Sequence, residues 1–366
     1  MPYKISGTLS EACRIIVIEE SGWTIESNTN ESSGSYEIDS LVSGTKQIVA
    51  RKSDGEASVY GNITPVSYTL PTGVIGGGAD GVRLNVMDYI TIGTTGNAQD
   101  FGDLTVAREG LGACSNGSLN RGCWCCGTTG SNSNVMDYAN INTPGNASDF
   151  GDDSARRAIT STDNGSGDRA LNAGGYISDY TNVIKYIAPS TLSNGYTFGN
   201  LTVARYDLDS CSNNTRAIFA AGRSDLVTYE TTMDYVTIST LSSATDFGDL
   251  SSGRRSPGGC SNRTNDRGVF GGGNISAEGG YGTEIDYITI SSAGNSTDFG
   301  SLSPGRREVC GTSDGENNRG IFAGGWKSPG VAAADIDYIT INSTGNALDF
   351  GNLTDARKFA AACSNA

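Results

Sequence analysis

Apolar residues in this chain come in short runs that alternate with polar ones and are broken by Gly, Asn, Ser and Asp. Ile336-Asp337-Tyr338-Ile339-Thr340-Ile341 is typical: β-branched residues at a period of two, which predicts a half-buried strand. Thr344-Gly345-Asn346 follows as a turn, because Gly and Asn tolerate positive φ. Asp349-Phe350-Gly351-Asn352-Leu353 then reads as another short strand, and Phe359 to Cys363 as one built from small side chains suited to a crowded position. Nothing in this stretch has helical spacing or length.

The same wording recurs six times from Met87 onward. The tyrosines are Tyr89, Tyr138, Tyr186, Tyr235, Tyr287 and Tyr338. Twelve residues after each stands a Phe-Gly: Phe101, Phe150, Phe198, Phe247, Phe299 and Phe350. Seven residues further stands an arginine: Arg108, Arg157, Arg205, Arg254, Arg306 and Arg357. A short apolar stretch ending in small residues, such as Val74 to Gly78 or Ile321 to Gly325, precedes every tyrosine, and five of the six tyrosines follow Asp, with Lys185 the exception. Features that recur in every copy are expected to build the repeat. Tyr and Phe are therefore assigned to packing between units, and the arginines to carbonyls or carboxylates at their corners.

Four short strands per roughly 50 residues, six times over, predict an all-β, six-bladed β-propeller across residues 73–366. The first glycine-rich strand, Gly73 to Gly78, has no small-residue strand before it, whereas the last repeat ends on one, Phe359 to Ser364. The C-terminal strand is thus expected to complete the first blade and close the ring.

Residues 1–68 lack the repeat. Strands are expected at Tyr3–Thr8, Cys13–Glu19, Thr24–Ser27, Ser35–Leu41, Lys46–Lys52 and Ser58–Ile63, with turns at Ser33-Gly34 and Ser53-Asp54-Gly55. They predict a small β-sandwich in front of the propeller, joined by a linker over Thr64–Thr72 that Pro65 and Pro71 stiffen.

Composition narrows the chemistry. The 366 residues include 51 Gly and no His, which removes Ser-His-Asp and Cys-His catalysis and His-ligated metals. Nine cysteines are scattered except for Cys123-Trp124-Cys125-Cys126, and the spacing predicts buried free thiols with neither a disulfide framework nor a metal site. A net charge of −15 argues against nucleic acid and anionic membranes as partners and for solubility. No run approaches the length that spans a bilayer as a helix, so membrane insertion is not expected. Asp163-Asn164-Gly165 and Asp314-Gly315 lack the spacing of calcium loops and read as turns.

With paired glycines, Tyr, an aromatic and Arg at this period, the chain resembles the kelch repeat, departing from it where Phe-Gly stands in place of the usual Trp. The wording Asp-Tyr-Ile-Thr-Ile, Ser-Thr-Gly-Asn-Ala, Asp-Phe-Gly-Asn-Leu-Thr, Ala-Arg and Cys-Ser-Asn, fullest at Asp337 to Asn365, is similar to repeats in virion proteins of marine tailed bacteriophages. Gly34-Ser35-Tyr36-Glu37-Ile38, with Gly44 and Ile48-Val49-Ala50, resembles the carboxypeptidase regulatory-like (transthyretin-like) domain. These resemblances imply a structural virion protein, tail- or fibre-associated or on the capsid surface, without enzymatic activity or cofactor. Its N-terminal domain would dock on the particle, and its propeller would face other virion proteins or a host-surface glycan or receptor, with a homo-oligomer on the particle as a further expectation. The alternative is a secreted or cell-surface kelch-like carbohydrate-binding protein. A glycan hydrolase with two carboxylates ranks below both, because no acid pair stands apart from the repeat.

Binding is expected where the repeats differ. The segment between the glycine strand and the Tyr strand varies in length and is long at Gly273–Asp286, Arg223–Met233 and Trp326–Ile336. Tyr176, Tyr180, Tyr206, Tyr229, Tyr281 and Trp326 collect on this rim or on the loops after the arginines, with Asp, Asn and Ser neighbours, and are the candidate ligand- or partner-binding residues.

Overall fold

The computed structural model describes residues 71–275 and 280–366 in full and, between residues 3 and 67, the strands alone. The chain divides into two units, Met1–Leu70 and Pro71–Ala366. It is all-β, and most of its strands lie in four-stranded antiparallel sheets.

The first unit has two sheets. Ile25–Glu31, Cys13–Glu19, Lys46–Lys52 and Ala57–Ile63 form one, in that spatial order, and Gly34–Leu41, Tyr3–Leu9 and Val66–Ser67 the other. The expected linker over Thr64–Thr72 is corrected in part. Val66–Ser67 pairs with Tyr3 and Lys4, and Thr72 opens a strand of the second unit. The expected turns at Ser33 and at Ser53-Asp54-Gly55, the side chain of Cys13, and Pro65 lie outside the described residues.

The second unit repeats one sheet six times. Sheet I consists of Ala361–Ser364, Thr72–Gly76, Val86–Thr91 and Gln99–Asp103 in spatial order. Sheets II to VI follow along the chain, beginning at Gly112–Ser115, Thr160–Asp163, Asp209–Ser212, Gly258–Ser261 and Cys310–Ser313. The strand that completes sheet I comes from the other end of the sequence, with Ala361 opposite Gly76 and Ser364 opposite Gly73. Each of these six leading strands touches the next, and Cys310–Ser313 touches Ala361–Ser364.

Just before the leading strands a backbone circuit runs through all six sheets. The amide of Ala158 donates to Gly110 O, Asp207 to Ala158 O, Ser256 to Asp207 O, Glu308 to Ser256 O, Phe359 to Glu308 O, and Gly110 to Phe359 O, at 2.6–3.2 Å. All six residues hold φ between 51° and 64°, and only Gly110 is a glycine. Left-handed φ costs a non-glycine roughly 1 kcal/mol, and the closed set of hydrogen bonds offsets that cost.

Apolar side chains seal neighbouring sheets. Val74 and Phe101 of sheet I share a cluster with Trp124 and Ala139 of sheet II, and Ile75 and Ile90 share another with Ile321 and Phe350 of sheet VI. Trp124, Phe219, Phe270 and Phe322 fill the same position on the second strands of sheets II, IV, V and VI and are fully buried, with Asn172 in their place in sheet III. The Phe-Gly glycine has a steric cause: a Cβ on Gly102 would stand 2.5 Å from the carbonyl carbon of Gly145, in the turn of the next sheet that donates from Gly145 N to Phe101 O. The turn at this place in each repeat, whether Thr-Gly-Asn or a variant of it, therefore docks on the Phe-Gly of the one before it. Sheet I docks on sheet VI in the same way, with Gly96 N donating to Phe350 O at 2.8 Å.

Eight cysteines among the described residues are free and buried. Hydrogen bonding with Cys123 and burial push the Cys114 thiol well up, burial does the same for Cys211 and Cys363, and Cys310 is pushed up to about 12. These thiols are expected to ignore an aromatic disulfide reagent at pH 8 in native protein and to react on denaturation. A stoichiometric thiol titration with and without guanidinium checks this.

Candidate functional site

The recurring residues are spent between sheets. The Asp before five of the six tyrosines is buried and accepts from the preceding repeat. Asp137 takes the amide of Thr105 at 3.3 Å, its hydroxyl at 2.5 Å and the Arg108 guanidinium at 2.8 Å. Asp234 with Arg205, Asp286 with Arg254, Asp337 with Arg306 and Asp88 with Arg357 repeat the ion pair. The last of these joins sheet VI to sheet I. Each Tyr meets its own Phe edge-on, with ring centroids 6.1–6.3 Å apart.

Arg157 is a correction. The buried arginine of the second repeat is Arg156, because the segment after Phe150 is one residue shorter than in the other copies. Arg156 O accepts from Gly127 N, as Arg108 O does from Gly78 N. Its carboxylate also differs: Asp153, 3.0 Å away, stands where the other repeats have Leu104 and its equivalents. The usual Asp position is Lys185, whose Nζ lies 3.8 Å from the same Asp153. An Asp at 153 and a Lys at 185 thus exchange the charges and keep the arginine compensated. Arg157 moves out to the end of the sheets.

A second arginine series was not anticipated from the sequence. Arg121, Arg169, Arg216, Arg267 and Arg319 lie 4.3–4.8 Å over the rings of Tyr138, Tyr186, Tyr235, Tyr287 and Tyr338. Each also donates to a carbonyl of the following sheet, from Arg121 to Pro189 O through to Arg319 to Ile92 O. The signal was present as an Asn or Asp three to five residues before Arg, whose side chain closes the turn by accepting the Arg amide at 2.5–2.8 Å. Asn164 and Asp314, both in the expected turns, are two of these.

The candidate rim residues lie near one end of the sheets. Tyr180 and Tyr206 stack at 5.2 Å with an interplanar angle of 4°, and Tyr176 meets both edge-on. Tyr229 lies between Arg223 and Arg255, Tyr281 by Arg307, and Trp326 under Lys358. So the tyrosines at 176, 180 and 206 form one cluster, and the other three candidates each stand beside cations, two for Tyr229 and one each for Tyr281 and Trp326. Of the long loop Gly273–Asp286, residues 276–279 lie outside the described residues.

Inside this end is a cleft of about 440 Å³ lined by Arg83, Arg157, Arg255, Lys358, Glu109, Asp207 and Tyr206, among others. Gly110, Ala158, Asp207 and Phe359 of the backbone circuit line both this cleft and a second cavity, of about 100 Å³, lined from all six leading segments. At the far end Arg263, in sheet V, pairs with Asp163 of sheet III at 2.7 Å and donates to its carbonyl oxygen, reaching past sheet IV. Its φ of +53° falls where Gly117, Gly165 and Gly315 stand in other repeats.

Burial pushes Asp209, on the second cavity, up to about 7 despite hydrogen bonds from Ser210 N, Thr160 Oγ1 and Gly259 N, and Asp314 up to about 6. The folded chain keeps these protons to higher pH than an unfolded chain, which releases them near 4. Their contribution to stability is therefore full below about pH 4 and is lost as pH rises through 6 to 7. Denaturation at pH 5 and pH 8 is expected to show this loss, and Asp209→Asn to reduce it by on the order of 1–2 kcal/mol, since the side chain keeps some access to the cavity.

Among the described residues no group of three or more Cys, Asp or Glu is placed to hold a metal ion, and no helix is long and apolar enough to cross a membrane. Neither a protein-family profile nor a curated protein matches the chain.

Proposed function

We propose that the Pro71–Ala366 unit is a six-bladed, kelch-like β-propeller and that the chain is a non-enzymatic structural protein of a tailed-bacteriophage virion. In this reading the N-terminal unit, a carboxypeptidase regulatory-like β-sandwich, docks on the particle. The propeller is presented to other virion proteins or to the host surface, with no cofactor, nucleic acid or membrane insertion involved. The propeller assignment is supported by the six successive sheets, their leading strands in cyclic contact, and the backbone circuit through all six. The functional reading is supported above all by where the recurring residues go: the phenylalanines, the aspartates and one arginine per repeat are buried between sheets and the tyrosines half-buried, leaving the variable residues at one end to make external contacts. Leu226 and Val227, 79% and 75% exposed on the loop that carries Tyr229, add an apolar edge suited to a protein partner. Mass spectrometry and antibody labelling of purified particles test the assignment: a fixed copy number on intact virions is expected, and absence from particles would overturn it.

A second reading, carbohydrate binding, is favoured by the stacked Tyr180–Tyr206 pair beside the open cleft. A glycan array with Trp326→Ala and Tyr206→Ala variants tests it, and binding to no sugar would sink it.

A further inference from the structure

The end cleft has the opposite charge from the chain that carries it. The chain is −15 overall, yet four cationic side chains line the cleft, Arg83, Arg157, Arg255 and Lys358, against two carboxylates, Glu109 and Asp207. Those two carboxylates are already engaged, Glu109 with Arg83 at 3.3 Å and Asp207 with Arg255 at 2.6 Å, and Lys358 is itself paired with Glu308 at 3.5 Å. Arg157 has no carboxylate within ion-pair distance among the described residues. One of its terminal nitrogens donates to Asn132 Oδ1 at 2.9 Å, and the guanidinium lies 4.5 Å from the centroid of the Tyr176 ring. The ring holds the guanidinium in place without neutralising it.

Beside this cation stands a flat aromatic wall. Tyr206 lines the cleft with Tyr180 stacked parallel behind it and Tyr176 edge-on to both, linking the wall to Arg157. The volume, about 440 Å³, is in the range of small-ligand sites and suits a sugar ring. A simple phosphate would answer the cations and leave the wall unused. A neutral sugar would use the wall and leave Arg157 unanswered. From these two features together we propose that the end cleft binds a sugar bearing a carboxylate, a uronic or sialic acid, with its ring against Tyr206 and its carboxylate on Arg157. The inference rests on the carbohydrate-binding reading and gives it a ligand class. A guanidinium takes a carboxylate through two parallel N–H bonds, which sets direction as well as affinity.

Calorimetric titration of the full chain tests it with four probes: a glucuronic acid oligosaccharide, sialyllactose, lactose, and inorganic phosphate. One acidic sugar is expected to bind roughly tenfold or more tightly than lactose and phosphate, which also identifies the source of the carboxylate. Its affinity is expected to fall between about 50 and about 300 mM NaCl. Arg157→Ala is expected to lose roughly tenfold or more, Arg157→Lys to recover part of it, and Tyr206→Ala to weaken acidic and neutral sugars alike. Unchanged melting temperatures show that the variants are folded. Equal affinity for lactose and the acidic sugars, or acidic-sugar binding insensitive to Arg157→Ala, would overturn the carboxylate assignment while leaving sugar binding in place. Binding of no sugar would overturn both readings, and the particle assay would still decide the virion assignment by itself.

Discussion

Deleting residues 361–366 is expected to abolish cooperative folding of the second unit. The segment supplies the leading strand of sheet I, which pairs with Thr72–Gly76 and touches the leading strands of sheets II and VI. Without it the backbone of Thr72–Gly76 becomes an open edge, and Trp124 Nε1, which donates to Ala361 O at 3.3 Å, is left with no partner in the core. Buried Ala361 and Cys363 leave the cluster around Trp124 at the same time. The expected product is an aggregation-prone chain with a broad or absent thermal transition and loss of the intact protein's peak in gel filtration. A truncated chain that melts like the intact one would show that the strand is dispensable.

Asp137→Ala is expected to destabilise the unit by about 3–5 kcal/mol, because it strands the fully buried Arg108 guanidinium and the Thr105 amide together. For a unit of this size that is a fall in Tm on the order of 10 °C. The Arg108→Ala variant should cost a similar amount, and the double variant less than the sum, since the two residues form one interaction. The protein carries its own version of this experiment in sheet III. The Asp position there is Lys185, and the arginine is kept only because Asp153 supplies a carboxylate from within the same repeat. Asp153→Leu, which restores the residue type common at that position, is therefore expected to destabilise.

The all-β class and the four-stranded sheets were legible because alternation and turn residues are local signals. The period of about 50 residues made the boundaries of the second unit plain. The strand that completes sheet I could be read from an imbalance, one small-residue strand missing at Gly73 and one left over at Phe359. What escaped was whatever depends on a neighbouring sheet. Phe-Gly was visible as a repeat, but its reason, a turn of the next sheet seated on the glycine, needs three dimensions. The Arg121 series was present as letters, yet a cation over a ring is invisible until strands pair. Arg157 shows the limit of counting offsets. It matched the spacing from Phe150, but a one-residue deletion gave the buried position to Arg156 and left Arg157 at the end of the sheets. Of the candidate rim residues, the sequence placed aromatics near a common end but not the cations that accompany them, because these come from the segments after the buried arginines and from the Ala79–Arg83 hairpin.

In the proposed propeller the six sheets form one closed ring, locked by the circuit of backbone hydrogen bonds. Amide hydrogen exchange, read residue by residue, tests it at Gly110, Ala158, Asp207, Ser256, Glu308 and Phe359. A closed ring predicts that all six amides exchange together, at the slow rate of global unfolding, although they lie next to solvent-accessible space. Rapid exchange at any one of them, with the others still protected, would mean that the ring is open at that point and would contradict the account.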